Sequence, residues 1–137
     1  MIKLCDNYED HLIICDKLKE VKKNINLKAN TLYGYMQSIN TYTYISEDDG
    51  IMNGCLVLLL ANNIFQEQVL SLLFIWIDPH YPDLLKDFIQ IAIDKAKNLK
   101  VKKVIFITNR DEKVINRKMG KYGFKKICSS YEKEVLL

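Results

Sequence analysis

The sequence predicts an α+β fold built on one mixed central sheet, and three features of the chain say so. Two near-continuous apolar runs, Met52 to Ala61 and Val69 to Ile77, flank a short polar link, which is how strands covered on both faces read. Pro79 and Pro82 then stop the sheet, because proline cannot donate to a ladder. Beyond them the apolar period turns helical and returns to a strand at Val101, so an antiparallel pair is followed by a right-handed crossover to a parallel strand.

Each element has its own signal. Asp6 to Val21 repeats apolar residues at Tyr8, Leu12, Ile13, Cys15 and Leu18, and Ala29 to Ile39 at Leu32, Tyr33, Met36 and Ile39; both spacings are those of amphipathic helices. In the first of these helices His11 is expected on the surface. Thr41 to Ser46 has the composition of a strand, and Glu47-Asp48-Asp49-Gly50 that of a turn, with a glycine available for positive φ. Asp83 is a good N-cap for the next helix, which places Leu85, Phe88, Ile89, Ala92, Ala96 and Leu99 on one face. Val101 to Thr108 reads as a buried strand parallel to Val69 to Ile77. Asp111 to Tyr122 is a short helix ended by Gly123, which suits a left-handed cap, and a last strand or strand pair is expected from Phe124 to Val135.

The chain of 137 residues suits a single domain, 1–137, able to bury a core without staples. Its 49% hydrophobic and 27% charged residues are the balance of a globular protein. Cys5, Cys15, Cys55 and Cys128 show no paired spacing and no metal-ligand pattern with histidine, so a reduced, cytoplasmic chain without metal is expected. Met1 to Asp10 has no apolar segment of signal-peptide length, and Asn62, Asn63, Gln66, Glu67 and Gln68 interrupt the most apolar region. Neither half of that region reaches the roughly 20 apolar residues of a membrane helix. Charge is uneven: 6 basic against 10 acidic residues up to His80, and 14 against 7 from Tyr81 onward. The lysines are spread over several elements without a recognisable reader motif, so solvated helix faces are expected rather than a nucleic-acid surface.

The order of elements resembles the GNAT superfamily of acyl-CoA-dependent N-acyltransferases. The resemblance spans Thr41 to Val135 and is anchored by Ile75-Trp76-Ile77-Asp78-Pro79, similar to the family's strand leading to V-x-P, and by Lys121-Tyr122-Gly123-Phe124, similar to its Y-x-x-x-G-F helix end. It implies helices on both faces of the sheet and an acetyl-CoA cofactor whose acyl group passes to an amine acceptor. By position, Phe74, Ile75, Trp76 and Ile77 would face the pantetheine arm. The loop from His80 through Tyr81, Asp83, Leu84 and Leu85 to Lys86 would meet the pyrophosphate at a helix N-terminus, and Asn109 would contact the cofactor. Asp78 is the acid nearest the strand end for a general base, and Tyr131 the candidate acid.

Two departures from the family pattern stand out. The family's pyrophosphate loop is Q/R-x-x-G-x-G/A, whereas Pro82, Leu85 and Asp87 occupy the corresponding positions here. Side chains hold backbone away from phosphate, proline has no N–H, and a capping Asp83 would occupy amides a phosphate needs. The tyrosine four residues before the G-F glycine is Met119, which cannot act as an acid. The chain in this respect resembles short, eroded members encoded in bacteriophage genomes. Two functions therefore stand side by side: an N-acyltransferase, or a catalytically inactive binding or virion component of the same fold. A bare edge on the last strand would leave room for a homodimer or protein partner.

Overall fold

A computed structural model describes residues 1–5, 7–21, 34, 40–63, 65–106, 112–127 and 133–136. They fall in two compact units, Met1–Ile107 and Thr108–Leu137. In the first, β1 (Ile2–Leu4), β2 (Thr41–Asp48), β3 (Ile51–Asn62), β4 (Gln68–Ile77) and β5 (Val104–Phe106) form one sheet in sequence order. The first four strands are antiparallel to their neighbours, and β5 runs parallel to β4. Helix α1 (Tyr8–Val21) covers one face and α2 (Leu84–Asn98) the other. The mixed sheet with helices on both faces is the expected architecture; the short strand β1 was not foreseen.

Two irregularities decide which face each side chain takes. Between β2 and β3 the register passes from Ser46↔Gly54 to Glu47↔Met52, so Asn53 is an extra residue in β3. Between β3 and β4 it passes from Val57↔Phe74 to Leu58↔Leu72, so Leu73 is extra in β4. Each bulge reverses the alternation that follows it. Leu70 and Leu72 pack under α2, and beyond Leu73 so do Ile75 and Ile77. Phe74 and Trp76 turn to the other face, against Ile14, Cys15, Ile45, Cys55 and Val57.

Local chemistry sets the ends of the elements. Asn7 caps α1 by accepting the Asp10 amide at 2.9 Å. Asp49 and Gly50 join β2 to β3 with φ of 51° and 76°, the pair of positive values a two-residue hairpin needs. Helix α2 ends in a Schellman motif: Val101 N–H donates to the Ala96 carbonyl and Lys100 N–H to that of Lys97. That motif corrects the expected strand from Val101 to Thr108. Val101 is held at the helix end and packs under α2, so β5 begins at Val104 and its three residues are half-buried; residues 107 and 108 lie outside the described residues.

His11 is also corrected. It is 1% exposed, with Nδ1 donating to the Asn7 carbonyl at 2.6 Å. The expected helix from Ala29 to Ile39 falls outside the described residues apart from Gly34, which is helical. In the second unit, α3 (Glu112–Gly120) ends with Phe124 N–H on the Met119 carbonyl and Gly123 N–H on that of Gly120. Gly123 has φ of 89°, as a left-handed cap requires. No strand is formed by residues 124–127 or 133–136, so the expected final strand, and the bare edge it was to offer a partner, is not found among them.

Lys100 occupies the left-handed position of its motif with φ of 58°, where a Cβ is strained and glycine is not. Lys100→Gly should raise stability by about 0.5 kcal/mol after the greater freedom of the unfolded glycine is set against the relieved strain. Urea unfolding checks it: a higher midpoint with an unchanged slope is expected.

Candidate functional site

Beyond the sheet's middle, β4 has a described neighbour on one side only. Its described register with β5 runs from Leu70↔Val104 to Leu72↔Phe106, and the extra residue Leu73 comes next. Bulges bend a strand and strengthen its twist, so β4 changes direction directly beyond the last described pair. From Phe74 to Ile77 it keeps β3 on one side, and among the described residues no strand joins the other. Phe74, Ile75, Trp76 and Ile77 are all half-buried. Their side chains are committed to the two cores, and Lys17 Nζ lies 5.1 Å from the Trp76 ring centroid. What this stretch offers a ligand is backbone.

The loop after β4 is organised by Asp78. Its amide donates to the Asn53 carbonyl at 2.8 Å, which ties the loop to the bulge in β3. Its Oδ1 accepts the His80 amide and faces His80 Nδ1, each at 2.9 Å, an Asx-turn of the kind short acidic side chains make. These two contacts hold the Asp78 carboxyl below its usual range, the backbone bond being the larger cause. His80 itself is exposed. Tyr81 N–H then donates to the Asp78 carbonyl and Leu84 N–H to that of Tyr81, with Pro82 at the second position of the resulting turn, where its fixed φ fits.

The loop's donors are thereby largely spent. The amides of His80, Tyr81 and Leu84 have internal acceptors, and Pro79 and Pro82 have none to give. Asp83 behaves differently from expectation: its backbone is already helical, and its carboxylate makes no cap hydrogen bond. The amides of Asp83, Leu85 and Lys86 at the start of α2 are therefore not covered by that side chain. The carboxylates of Asp83 and Asp87 nevertheless stand beside them, favourable to the helix dipole and unfavourable to an incoming anion.

On the side of the loop facing β2 and β3 lies an open cavity of about 350 Å³. Ser46, Asp48, Asn53, Tyr81, Asp83 and Asp87 are among its lining residues. The Tyr81 hydroxyl donates to Asp48 Oδ2 at 3.2 Å, and this bond, with the charge on Asp48, raises the Tyr81 phenol above its ordinary pKa. Gly54 makes the approach of α2 possible. A Cβ there would lie 2.5 Å from Leu84 Cδ2 and 3.0 Å from the Phe88 ring, the two residues that seat the first turn of the helix on the sheet.

Of the residues expected at the site, Phe74 to Ile77, Asp78, His80, Tyr81, Asp83, Leu84, Leu85 and Lys86 form one continuous strand end, loop and helix start. Leu84 is buried and Lys86 exposed. Asn109 and Tyr131 lie outside the described residues. Met119, at the acid position of the family pattern, is buried. Sequence reasoning missed Asp48, Asn53, Gly54 and Leu73. Asn53-Gly54 inside an apolar run is a bulge signal; Leu73 has no counterpart, being one leucine among apolar neighbours.

Comparison with known proteins now bears on the fold. Three solved structures cover nearly all of the chain and are covered by it. A ribosomal-protein-alanine N-acetyltransferase from Brucella melitensis biovar Abortus matches with a TM-score of 0.77 and 14% identity, over 98% of each chain. An aminoglycoside acetyltransferase from an uncultured soil metagenomic sample, in complex with sisomicin, matches with a TM-score of 0.80 and 10% identity, over 99% of this chain and 96% of that one. An aminoglycoside N-acetyltransferase in complex with CoA matches with a TM-score of 0.75 and 15% identity, over 98% of this chain and 100% of that one. The fold is that of the GNAT acetyltransferases. No protein-family model and no curated protein matches the chain. No helix among the described residues is long and apolar enough to cross a membrane.

Two substitutions probe how the site is held. Gly54→Ala should cost about 1–3 kcal/mol, the range for overpacking a filled core, and should loosen the start of α2; slower folding-independent loss of amide protection at Phe88 and Ile89 by hydrogen exchange is the wrong result, faster exchange the expected one. Because the folded Asp78 pKa is depressed, its ionic contribution is complete above the unfolded carboxyl value of about 3.9 and is lost as pH falls through the lower folded value. Asp78→Asn keeps an acceptor for the His80 amide but no charge. The stability gap between wild type and variant should therefore be widest near neutrality and close below about pH 4, read by thermal unfolding across pH.

Proposed function

We propose that the protein is an N-acyltransferase of the GNAT type, moving an acyl group from acyl-CoA to an amine, with its two units acting as one domain in the cytoplasm. The observation that carries this reading is the extra residue Leu73, which bends β4 directly beyond its last described pair with β5, Leu72↔Phe106. A β4 that bends away from the β5 direction there would offer its backbone to an extended pantetheine arm, which recognises strand backbone as another strand would. Fold likeness at this identity does not fix chemistry, and the support lies in that bend.

In the proposed reaction the neutral amine attacks the thioester carbonyl. A C–N bond forms and the C–S bond breaks. The amine proton leaves to a base, and the thiolate takes up a proton. Asp78 is assigned the base role through a water, since a carboxylate of depressed pKa is weak by itself. Tyr131 is assigned the acid role, and Asn109 a contact to the cofactor. The pyrophosphate would be left to the amides of Asp83, Leu85 and Lys86.

A second reading has its own support. The engaged amides of His80, Tyr81 and Leu84, the two prolines and the buried Met119 favour a catalytically inert module of the same fold, such as a virion or host-interaction component of a bacteriophage. Calorimetric titration separates the two. On the transferase reading acetyl-CoA binds saturably below millimolar, and acetyl-pantetheine, which lacks the pyrophosphate, binds within about tenfold of it, or about 1.4 kcal/mol, because the loop has few donors to lose. No heat from acetyl-CoA beyond dilution would remove the transferase reading and leave the module.

A further inference from the structure

The lysines expected on scattered solvated faces are gathered at one place. The end of α2 and the approach to β5 carry Lys97, Lys100, Lys102 and Lys103 within seven residues, with no acid between them. The fold sets this stretch beside the loop from β3 to β4. Leu70 N–H donates to the Lys103 carbonyl, and Lys103 Nζ reaches Glu67 Oε1 at 2.9 Å. That bond is the main cause holding the Glu67 carboxyl below its usual range, and it offsets the charge of the loop's acid. Lys97, Lys100 and Lys102 are exposed, and none makes an ion pair among the described residues.

The loop itself is built around Asn63. Its Oδ1 accepts the amides of Phe65 at 2.9 Å and Glu67 at 3.0 Å. Its backbone N–H donates to the Glu67 carbonyl at 2.9 Å, its carbonyl accepts the Gln66 amide at 3.1 Å, and Gln66 takes a positive φ of 60°. A turn bonded in this way has a defined shape, and it leaves Phe65 81% exposed. A ring held in water on an ordered turn gives the fold little and is available to a partner. Between the loop and the end of α2 lies an open groove of about 250 Å³, lined by Glu67, Gln68, Lys100, Val101 and Lys102. Gln68 is exposed there, and its side-chain amide can both donate and accept.

This end of the sheet thus offers ammonium groups for phosphates, an amide for a base edge and an exposed ring for a base face. We propose that the groove and its loop bind single-stranded nucleic acid, with a base stacked on Phe65 and backbone phosphates held by Lys100 and Lys102. A duplex hides its base faces and leaves Phe65 without a partner. A membrane surface would meet the ring and the lysines but would not enter a groove lined by an amide. The site lies where β4 begins, at Gln68, and the strand end proposed for the cofactor lies at Ile77, about 30 Å away at the rise of a strand. It therefore stands whether or not acyl-CoA binds.

The test is fluorescence anisotropy of a labelled oligothymidylate of about 12 nucleotides, within the span such grooves cover, titrated with the whole chain over a range of sodium chloride and without acetyl-CoA. Saturable binding below millimolar is expected at low salt. The logarithm of affinity should fall with the logarithm of salt at a slope of about −2, from Lys97, Lys100 and Lys102 on a single strand. Phe65→Ala should weaken binding by about tenfold, as loss of one stacked base does, and leave the affinity for an abasic oligomer of the same length unchanged. Lys100→Gln and Lys102→Gln should each make the slope shallower by about 0.7. All three side chains are exposed, and an unchanged urea midpoint verifies that each variant folds. No binding overturns the proposal. So does a Phe65→Ala variant that binds as wild type or loses as much on the abasic oligomer, or a duplex of the same length bound as tightly. Tighter, Phe65-dependent binding to phosphatidylserine vesicles overturns it in favour of a membrane surface.

Discussion

Sheet registers are usually set by alternation, and here two single-residue insertions override it. Asn53 in β3 and Leu73 in β4 each shift the pairing by one position. A one-residue shift in a strand sends every later side chain to the opposite face. Because Leu73 intervenes, Trp76 reaches the α1 core and Ile77 the α2 core; without it these would exchange, and an indole would have to fit beneath the first turn of α2. Asn53 does comparable work at the other end of the hairpin. Its carbonyl anchors the Asp78 amide, so the loop after β4 hangs from one bulge while the strand leading to it bends at the other.

The loop shows what happens to a phosphate-binding geometry without glycines. A glycine-rich loop keeps its amides pointing outward because no side chain competes for them. Here Asp78 supplies the competing acceptor, gathering the His80 amide, while its carbonyl takes that of Tyr81. Two prolines remove two further donors. The result is a rigid, self-satisfied turn with carboxylates rather than amides at its surface. Asp83 contributes charge but no cap bond, since its backbone has already entered the helical region and Tyr81 provides the acceptor for the first helical amide.

Much of this architecture was legible in advance, for reasons that differ by element. The antiparallel pair β3–β4 could be read because its apolar runs are long and bounded by polar residues, and α2 because its apolar face repeats cleanly over 15 residues. The bulge at Leu73 could not, because every residue from Leu72 to Ile77 is apolar and a reversal of alternation there leaves no trace. β1 is three residues long, below the length at which a pattern exists. His11 has the chemistry of a surface residue and is buried with a bond to the backbone of Asn7, the residue that caps its helix. The strand expected from Val101 is shortened because Val101 serves the helix end, a competition between motifs that local composition does not resolve. The candidate site followed the same rule: its strand and loop could be located, while the acid and amide that enter from β2 and β3 depend on tertiary pairing.

The sheet's order has a kinetic consequence. Every strand lies beside its neighbour in sequence, and β2, β3 and β4 are linked by a two-residue turn and a short loop, so this meander assembles from local contacts alone. Local contacts lower the entropy that must be surrendered before the transition state is reached. The parallel addition of β5 waits for α2 to form. The pairing of β1 with β2 must close the whole stretch from Leu4 to Thr41, which makes the outer edge beside Tyr44 the last part of the sheet to be sealed as the chain collapses.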